Sequence, residues 1–364
     1  MEHDQKVAVI MSLNKKWIWA AAVTVLAAAF FLWREWRSGA DEPPPQPSSG
    51  IRLSAWIADW QWKPGVLDLE QLGGSVKELS MFAAYFNHRD ELHFTEQYGE
   101  ALPEVREAAA AAGVERMLLT IVNDRFGEDG TAIQKDPDLV SRLVATDTAR
   151  EAHINQIVET AKESGFGGVE IDYEKVHKRD LGKLTLFYGE LYERLQAEGL
   201  SLRIVIEPGM KTEGLDFPEG PSYVMMAYNL YGGHSGPGPK ADHRMIRNLA
   251  DKLRRFPGNT SLALSVGGFD WPDGGKVVSL TEKRAAELAA SSSAAPQRDA
   301  DSGALHFEYT DDAGVRHTVW YADGTTLAGW MATAMSAGIS DIAIWRLGEL
   351  EPDTLKRLRE EAGS

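Results

Sequence analysis

From Ile51 onward, short apolar runs alternate with amphipathic stretches. The runs Leu53–Trp60, Leu79–Phe86, Arg116–Asn123 and Gly167–Glu174 are followed by Leu202–Glu207, Tyr223–Leu230, Ser261–Phe269 and Asp341–Trp345. Each has the length of a strand. Several are continuously apolar, as in a parallel sheet covered on both faces. Helical periodicity fills most of the gaps, over Pro103–Ala112, Asp147–Ser164, Lys183–Glu198, Asp242–Phe256 and Leu327–Ala337. Eight strands with intervening helices over about 310 residues predict an α/β fold, a (β/α)8 TIM barrel. A doubly wound open sheet is the rival. It would more usually place a Gly-rich phosphate loop after its first strand, and here that strand runs into Asp59-Trp60-Gln61-Trp62.

Two stretches exceed simple connections. Asp124–Thr146 is a long charged loop suited to the mouth of an active site. Pro272–Thr325 reads as a small α+β insertion after the seventh strand: a helix at Glu282–Ala290, a polar Ser/Ala segment, and a hairpin of Leu305–Tyr309 with Val315–Tyr321 around Asp311–Gly314.

Ahead of the barrel, Trp17–Trp33 runs 17 residues without a charge, near the lower limit for a helix crossing a bilayer. Lys6, Lys15 and Lys16 precede it and Arg34 and Arg37 follow, so residues 1–16 are expected in the cytoplasm and the barrel outside it. The expected location is therefore the cell membrane, with a single pass at 17–33. A cleaved signal peptide, giving a secreted protein, is the rival. Met11 is a second candidate start. Residues 34–50, with their EPPPQPSSG run, form a Pro-rich linker to a domain at 51–364.

Composition removes whole classes of function. The chain has 38 Lys+Arg against 54 Asp+Glu, a formal charge of −16, which argues against nucleic acid as a partner. Zero cysteines exclude disulfides, thiolate metal sites and a cysteine nucleophile.

The candidate chemistry lies on the fourth strand. Glu170, Asp172 and Glu174 occupy alternate positions, so all three carboxylates face one way. With helices on the outer side, the barrel interior is their destination. Crowding and desolvation there raise at least one pKa, which suits a general acid near neutral pH. Glu174, at the C-terminal end, lies nearest the mouth where barrel active sites sit. A solvated edge strand and a carboxylate metal site are the alternatives, but no His lies on this strand.

Gly167-Gly168-Val169-Glu170-Ile171-Asp172-Tyr173-Glu174 resembles the D-G-x-D-x-D-x-E signature of glycoside hydrolase family 18, the chitinase-like barrels. Gly167 and Glu170 depart from it, standing where the family has Asp. Met226-Ala227-Tyr228-Asn229 resembles the family's M-x-Y-[DN] segment, and Trp345 matches its floor tryptophan. The stretches 265–271, 317–323 and 344–348 look like the branch of bacterial spore-cortex and cell-wall N-acetylglucosaminidases.

The resemblance implies substrate-assisted, retaining hydrolysis of β-linked N-acetylglucosamine glycans. Glu174 would protonate the glycosidic oxygen and later activate water. Asp172, supported by Glu170, would orient the sugar's 2-acetamido group as its oxygen attacks the anomeric carbon, giving an oxazolinium ion. Tyr228 would hold the acetamido carbonyl, with Asn229 in support. Trp345, Trp56, Tyr85, Tyr231 and Trp271 would present faces for sugar stacking, and Asn123 and Glu207 would bond sugar hydroxyls. Asp124 shares that strand-end placement, Trp60, Trp62, Phe86 and Phe269 share the aromatic one, and His317 is expected to fix the hairpin. The implied substrate is peptidoglycan or cortex-type glycan ahead of chitin, with no cofactor, no bound metal and a monomeric state. A lectin-like member that binds glycan without cutting it is the alternative, and a metal-dependent barrel hydrolase a third reading.

Overall fold

The computed structural model describes residues 50–292 and 295–363. The predicted span at 17–33, the segment 1–16 and nearly all of the linker lie outside the described residues. Among the described residues, no helix is long and apolar enough to cross a membrane.

Fifteen strands appear in chain order: β1 Arg52–Ala58, β2 Val76–Phe86, β3 Leu92–Phe94, β4 Arg116–Phe126, β5 Ala132–Ile133, β6 Gly168–Asp172, β7 Ser201–Ile206 and β8 Ser222–Met226, then β9 Thr260–Ser265, β10 Gly267–Pro272, β11 Val278–Leu280, β12 Gln297–Arg298, β13 Leu305–Thr310, β14 Arg316–Ala322 and β15 Asp341–Trp345. Eight of them, β1, β2, β4, β6, β7, β8, β9 and β15, pair in parallel. β15 returns to β1 with Ser54 opposite Ala343, and that pairing closes the barrel.

The helices α1 Trp62–Leu72, α2 Glu96–Ala111, α3 Pro137–Leu143, α4 Asp147–Glu163, α5 Leu181–Ala197, α6 His243–Leu253, α7 Glu282–Ser291, α8 Gly324–Ser336 and α9 Pro352–Gly363 include a ring around the sheet. Side chains at their N-caps end several of them cleanly: Thr95, Thr146, Asp242 and Asp323 each accept a backbone N–H of the first turn. α2 begins a full two turns before Pro103, which sits inside the helix where the sequence pattern starts it. Leu, Ile and Val from the outward faces of the strands pack there, among them Ile57, Leu119, Ile171 and Ile204.

The seventh apolar run is broken. Val266 separates β9, a barrel strand, from β10, the first strand of an antiparallel five-stranded sheet ordered β11-β10-β14-β13-β12. Gly267 turns the chain with φ 66°, and a Cβ on Gly268 would fall 1.8 Å from the Trp320 carbonyl oxygen, so close pairing of β10 with β14 demands glycine. This subsidiary sheet has its own apolar centre at Leu280, Ala285, Phe307, Val319 and Tyr321. His317 Nδ1 donates to the Asp270 carboxylate across the β10–β14 pairing, and its ring stacks on Tyr309.

Candidate active site

β6 carries the acidic residues, and its start is sterically fixed. A Cβ on Gly168 would lie 2.1 Å from Ser201 Oγ and 2.5 Å from the Ser201 carbonyl oxygen. At Gly167 the nearest atom to an added Cβ is Arg116 Cγ, at 2.9 Å. From there the side chains alternate. Val169 and Ile171 join the outer core, and Tyr173 turns outward to His153, with 2.7 Å between its hydroxyl and Nε2. Glu170 and Asp172 turn inward.

Glu170 is completely enclosed at the barrel floor. Trp56 Nε1 donates to it at 2.5 Å, Thr120 Oγ1 at 2.7 Å, and the Arg203 guanidinium grips its other oxygen. Arg203 also donates to Glu78 at 2.8 Å and Ser80 at 2.7 Å, and lies over the Trp56 ring. Its sequence signal is a charge inside the otherwise apolar β7. That signal marks an inward position with a buried acid as partner.

Asp172 sits above this layer. It is nine-tenths buried, and its Oδ1 has no hydrogen-bond partner. Burial raises its pKa well above the ordinary carboxylate range, and the negative charges of Glu174 and Glu170 add to the rise.

β6 ends at Asp172, so Glu174 lies just beyond the strand. Asn123 holds it by the main chain: Oδ1 accepts the Glu174 N–H at 2.9 Å and Nδ2 donates to its carbonyl at 2.9 Å. Lys175, with φ 55°, then turns the chain, and its N–H donates to Glu207 Oε2 at 2.9 Å. The Glu174 carboxylate forms an ion pair with Lys135, which comes from the long loop after β4. Asp124 Oδ1 accepts the Lys135 N–H at 2.7 Å and fixes that loop. Burial opposes the charge of Lys135, but Glu174, Asp172 and Glu207 outweigh it and raise its pKa.

Tyr228 and Trp345, just after β8 and at the end of β15, stack with ring centroids 6.5 Å apart at 14°. Burial, followed by the nearby Asp172, Glu174 and Glu170 charges, holds the Tyr228 hydroxyl protonated well past its usual range. Phe82 meets Trp345 edge-on, and Trp56 does so from below. Strict alternation would send Phe82 and Tyr85 to opposite faces, but register irregularities in β2 between Phe82 and Phe86 bring both inward. The result is a cavity of about 450 Å3 at the C-terminal mouth, lined by Asp172, Glu174, Tyr228, Asn229, Trp345 and Tyr85 together with Lys135.

Other predicted site residues lie elsewhere. Trp56 is beneath the cavity, bonded to Glu170, and Asn123 is fully buried behind Glu174. Glu207 binds the Lys175 turn rather than lining the cavity. Trp271 is buried within β10 and donates to the Ser235 carbonyl, while Tyr231 is partly exposed over Gly238. Two groups of the cavity carry no sequence signal. Lys135 comes from an irregular loop, and Asp59 is placed by hydrogen bonds from Tyr85 at 2.8 Å and Thr95 at 2.5 Å. Among the described residues, no group of three or more His, Asp or Glu is arranged to hold a metal ion.

Comparison with known proteins finds glycosylases and a chitinase similar to this chain. A sporulation-specific glycosylase of Bacillus subtilis, YdhD, is 27% identical over 246 residues, 63% of this chain and 57% of that protein. The chain thus spans less than two thirds of that relative's length. A cortical fragment-lytic enzyme of Bacillus subtilis is 25% identical over 333 residues, 84% of this chain and 73% of that one. The crystal structure of a chitinase from Chromobacterium violaceum superposes with a TM-score of 0.73 at 18% identity, covering 86% of this chain and 99% of that one. No family model matches the sequence. These relatives agree with the resemblance read from the sequence, and the solved structure shows that the chain shares the fold of a chitinase barrel.

Proposed function

We propose that this protein is a glycoside hydrolase that cleaves β-linked N-acetylglucosamine glycans by substrate-assisted, retaining chemistry. The observation that carries the reading is Asp172, nine-tenths buried with its Oδ1 unpartnered, on the lining of a cavity floored by Trp345 and shared with Glu174. A sugar stacked on Trp345 places its 2-acetamido group beside Asp172 and Tyr228. The Asp172 carboxylate accepts the acetamido N–H, and its negative charge steadies the oxazolinium. Tyr228, kept neutral, donates to the acetamido oxygen. Glu174 gives its proton to the leaving oxygen and later takes one from water. The glycosidic oxygen reaches Glu174 by taking the place of the Lys135 ammonium. Neither a nucleophilic side chain nor a cofactor takes part.

The activity and its glycan are carried over from relatives named for spore cortex and chitin. The cortex-type relatives favour peptidoglycan over chitin. Glu174→Gln tests the assignment: the amide keeps the shape and cannot deliver a proton, so turnover should fall by about 10²–10⁴-fold while oligosaccharide binding persists. A wild-type protein that binds oligosaccharide, hydrolyses none, and is indistinguishable from Glu174→Gln would be a lectin instead.

The membrane anchor at 17–33, with the barrel outside the cytoplasm, is part of this proposal. Its support is the uncharged run and the lysines before it. Protease added to spheroplasts should release a fragment beginning near Pro43–Gly50. Survival of the full-length chain would reverse the orientation.

A further inference from the structure

Beside the catalytic cavity lies a second one, of about 310 Å3, between the barrel mouth and the subsidiary sheet. Trp60 and Trp345 line both, so a glycan stacked on Trp345 continues directly toward it. Its cations are unusual. Lys240 is nine-tenths buried, and its ammonium donates to Ser265 Oγ at 3.1 Å and to the Val266 carbonyl at 3.0 Å, both neutral. Arg346, next to Trp345, donates to Gln61 Oε1 and lies over the Trp60 ring. Among the described residues, neither cation forms an ion pair within 4 Å; burial lowers the Arg346 pKa, and the nearby Glu349 charge opposes that only in part.

Two half-hidden cations that face one cavity with no carboxylate in ion-pair contact repel each other and are poorly solvated, and the Glu349 charge acts on Arg346 but relieves Lys240 of nothing. Such an arrangement is stable only if something compensates it. The consequence is visible on Lys240, where burial and then the Arg346 charge lower the pKa to about 7. Glu282, the carboxyl on the described lining, gives no relief. Its oxygens accept from Thr354 Oγ1 at 2.5 Å and from the Glu351 N–H at 3.0 Å, and burial raises its own pKa to about 7. The catalytic cavity has the opposite character, with Asp59, Asp124, Asp172 and Glu174 opposed by Lys135. The cleft therefore has an acidic half for the reacting sugar and a cationic half beside it.

We propose that the second cavity is a subsite for a carboxylate-bearing sugar, the neighbour of the N-acetylglucosamine held over Trp345, with Lys240 and Arg346 as its anion-binding groups. The inference rests on the glycan-hydrolase reading of the adjoining cavity. The substrate class that follows is an alternating glycan with an ether-linked carboxylate on every second residue, as in N-acetylmuramic acid, and not an uncharged homopolymer.

The test is calorimetric titration of the full-length chain in the Glu174→Gln background, where ligand survives. The two ligands are chitotetraose and a tetrasaccharide of alternating N-acetylglucosamine and N-acetylmuramic acid. The expected result is a preference of about tenfold or more for the carboxylated ligand, as one charge-assisted contact in a buried site supplies. Lys240→Met and Arg346→Gln should each bring the ratio of affinities close to unity. If Lys240→Met fails to fold, Arg346→Gln and the unsubstituted background still decide. Equal affinity for the two ligands, binding of neither, or a preference unchanged in both variants overturns the inference. Hydrolysis of either tetrasaccharide by the chain with Glu174 intact is scored separately, and it alone decides the glycosidase reading.

Discussion

Asn123 clasps Glu174 by its backbone, accepting its N–H and donating to its carbonyl, both at 2.9 Å. The clasp joins the end of β4 to the turn after β6, so the position of the acid is set by a neighbouring strand. It also gives Asn123 a task different from sugar binding. Asn123→Ala should remove the partner of three backbone groups, the Glu174 N–H and carbonyl and the Asp136 carbonyl, which costs about 1–3 kcal/mol in stability. Misplacing the acid should lower kcat by about 10–100-fold with a much smaller change in KM. Asn123→Asp, which keeps the acceptor, should fall between. Steady-state kinetics on a defined oligosaccharide would expose an unchanged kcat, which the clasp cannot accommodate.

The acidic limb of kcat/KM should lie above the ordinary carboxylate range of about 4. Asp172 must be ionised to steady the oxazolinium, while burial and the Glu174 and Glu170 charges raise its pKa. As pH falls through that raised value the carboxylate is protonated and activity is lost. Lys135 is the cation opposing the rise, so Lys135→Met should move the limb to still higher pH. The apparent values belong to the carboxylate cluster as a whole. A pH–rate profile with its acidic limb at or below about 4 would contradict this assignment.

Restoring the family's aspartate at Glu170 should be harmful. From sequence alone, Glu170→Asp looks tolerable, since a carboxylate remains. In the folded protein the glutamate reaches Trp56, Thr120 and Arg203 at once. A side chain one methylene shorter loses part of that set and leaves Glu78 as the remaining carboxylate in contact with Arg203, beside Ser54 and Ser80. The expected loss is about 3 kcal/mol or more, as for breaking a buried ion pair, and urea unfolding measures it.

His153 should make stability depend on pH. It is buried against Phe187 and Tyr173, and burial lowers its pKa to about 3, against about 6.5 in an unfolded chain. Below about 6.5 the unfolded state takes up a proton that the folded state refuses, so this contribution is intact at neutral pH and fades as pH falls toward 3. Between pH 7 and pH 5 the loss is on the order of 2 kcal/mol. Carboxyls with raised pKa values act in the opposite sense, so the useful quantity is the difference from His153→Leu. That variant should close on the wild type in urea unfolding as the pH is lowered, and a constant gap would sink the prediction.

The barrel was legible because each strand needs both faces apolar and each helix needs one, which writes two periods into the chain. Asp341–Trp345 and the hairpin about Asp311–Gly314 follow that writing closely. α1, α3 and α9 were harder to see, being short or rich in charge. Glu174, Asp172, Tyr228 and Trp345 share a cavity because each sits at or just past the end of a barrel strand, a place that sequence order alone specifies. Lys135, Asp59 and Lys240 come from irregular segments, where no period says which way a side chain points. Trp56 and Trp271 show the converse limit: an aromatic near a strand end can face the interior of the wall as readily as the opening.

The two glycines that open β6 are not equivalent. Backbone and side chain of Ser201 leave Gly168 no alternative, whereas the obstacle at Gly167 is the side chain of a half-exposed arginine that has solvent to swing into. A side chain is therefore sterically possible at the first position and excluded at the second. The family's missing aspartate is one substitution away, with no rearrangement of the strand beneath it. An aspartate at Gly167 asks only that the Arg116 side chain move, whereas any side chain at Gly168 would break the pairing of β6 with β7.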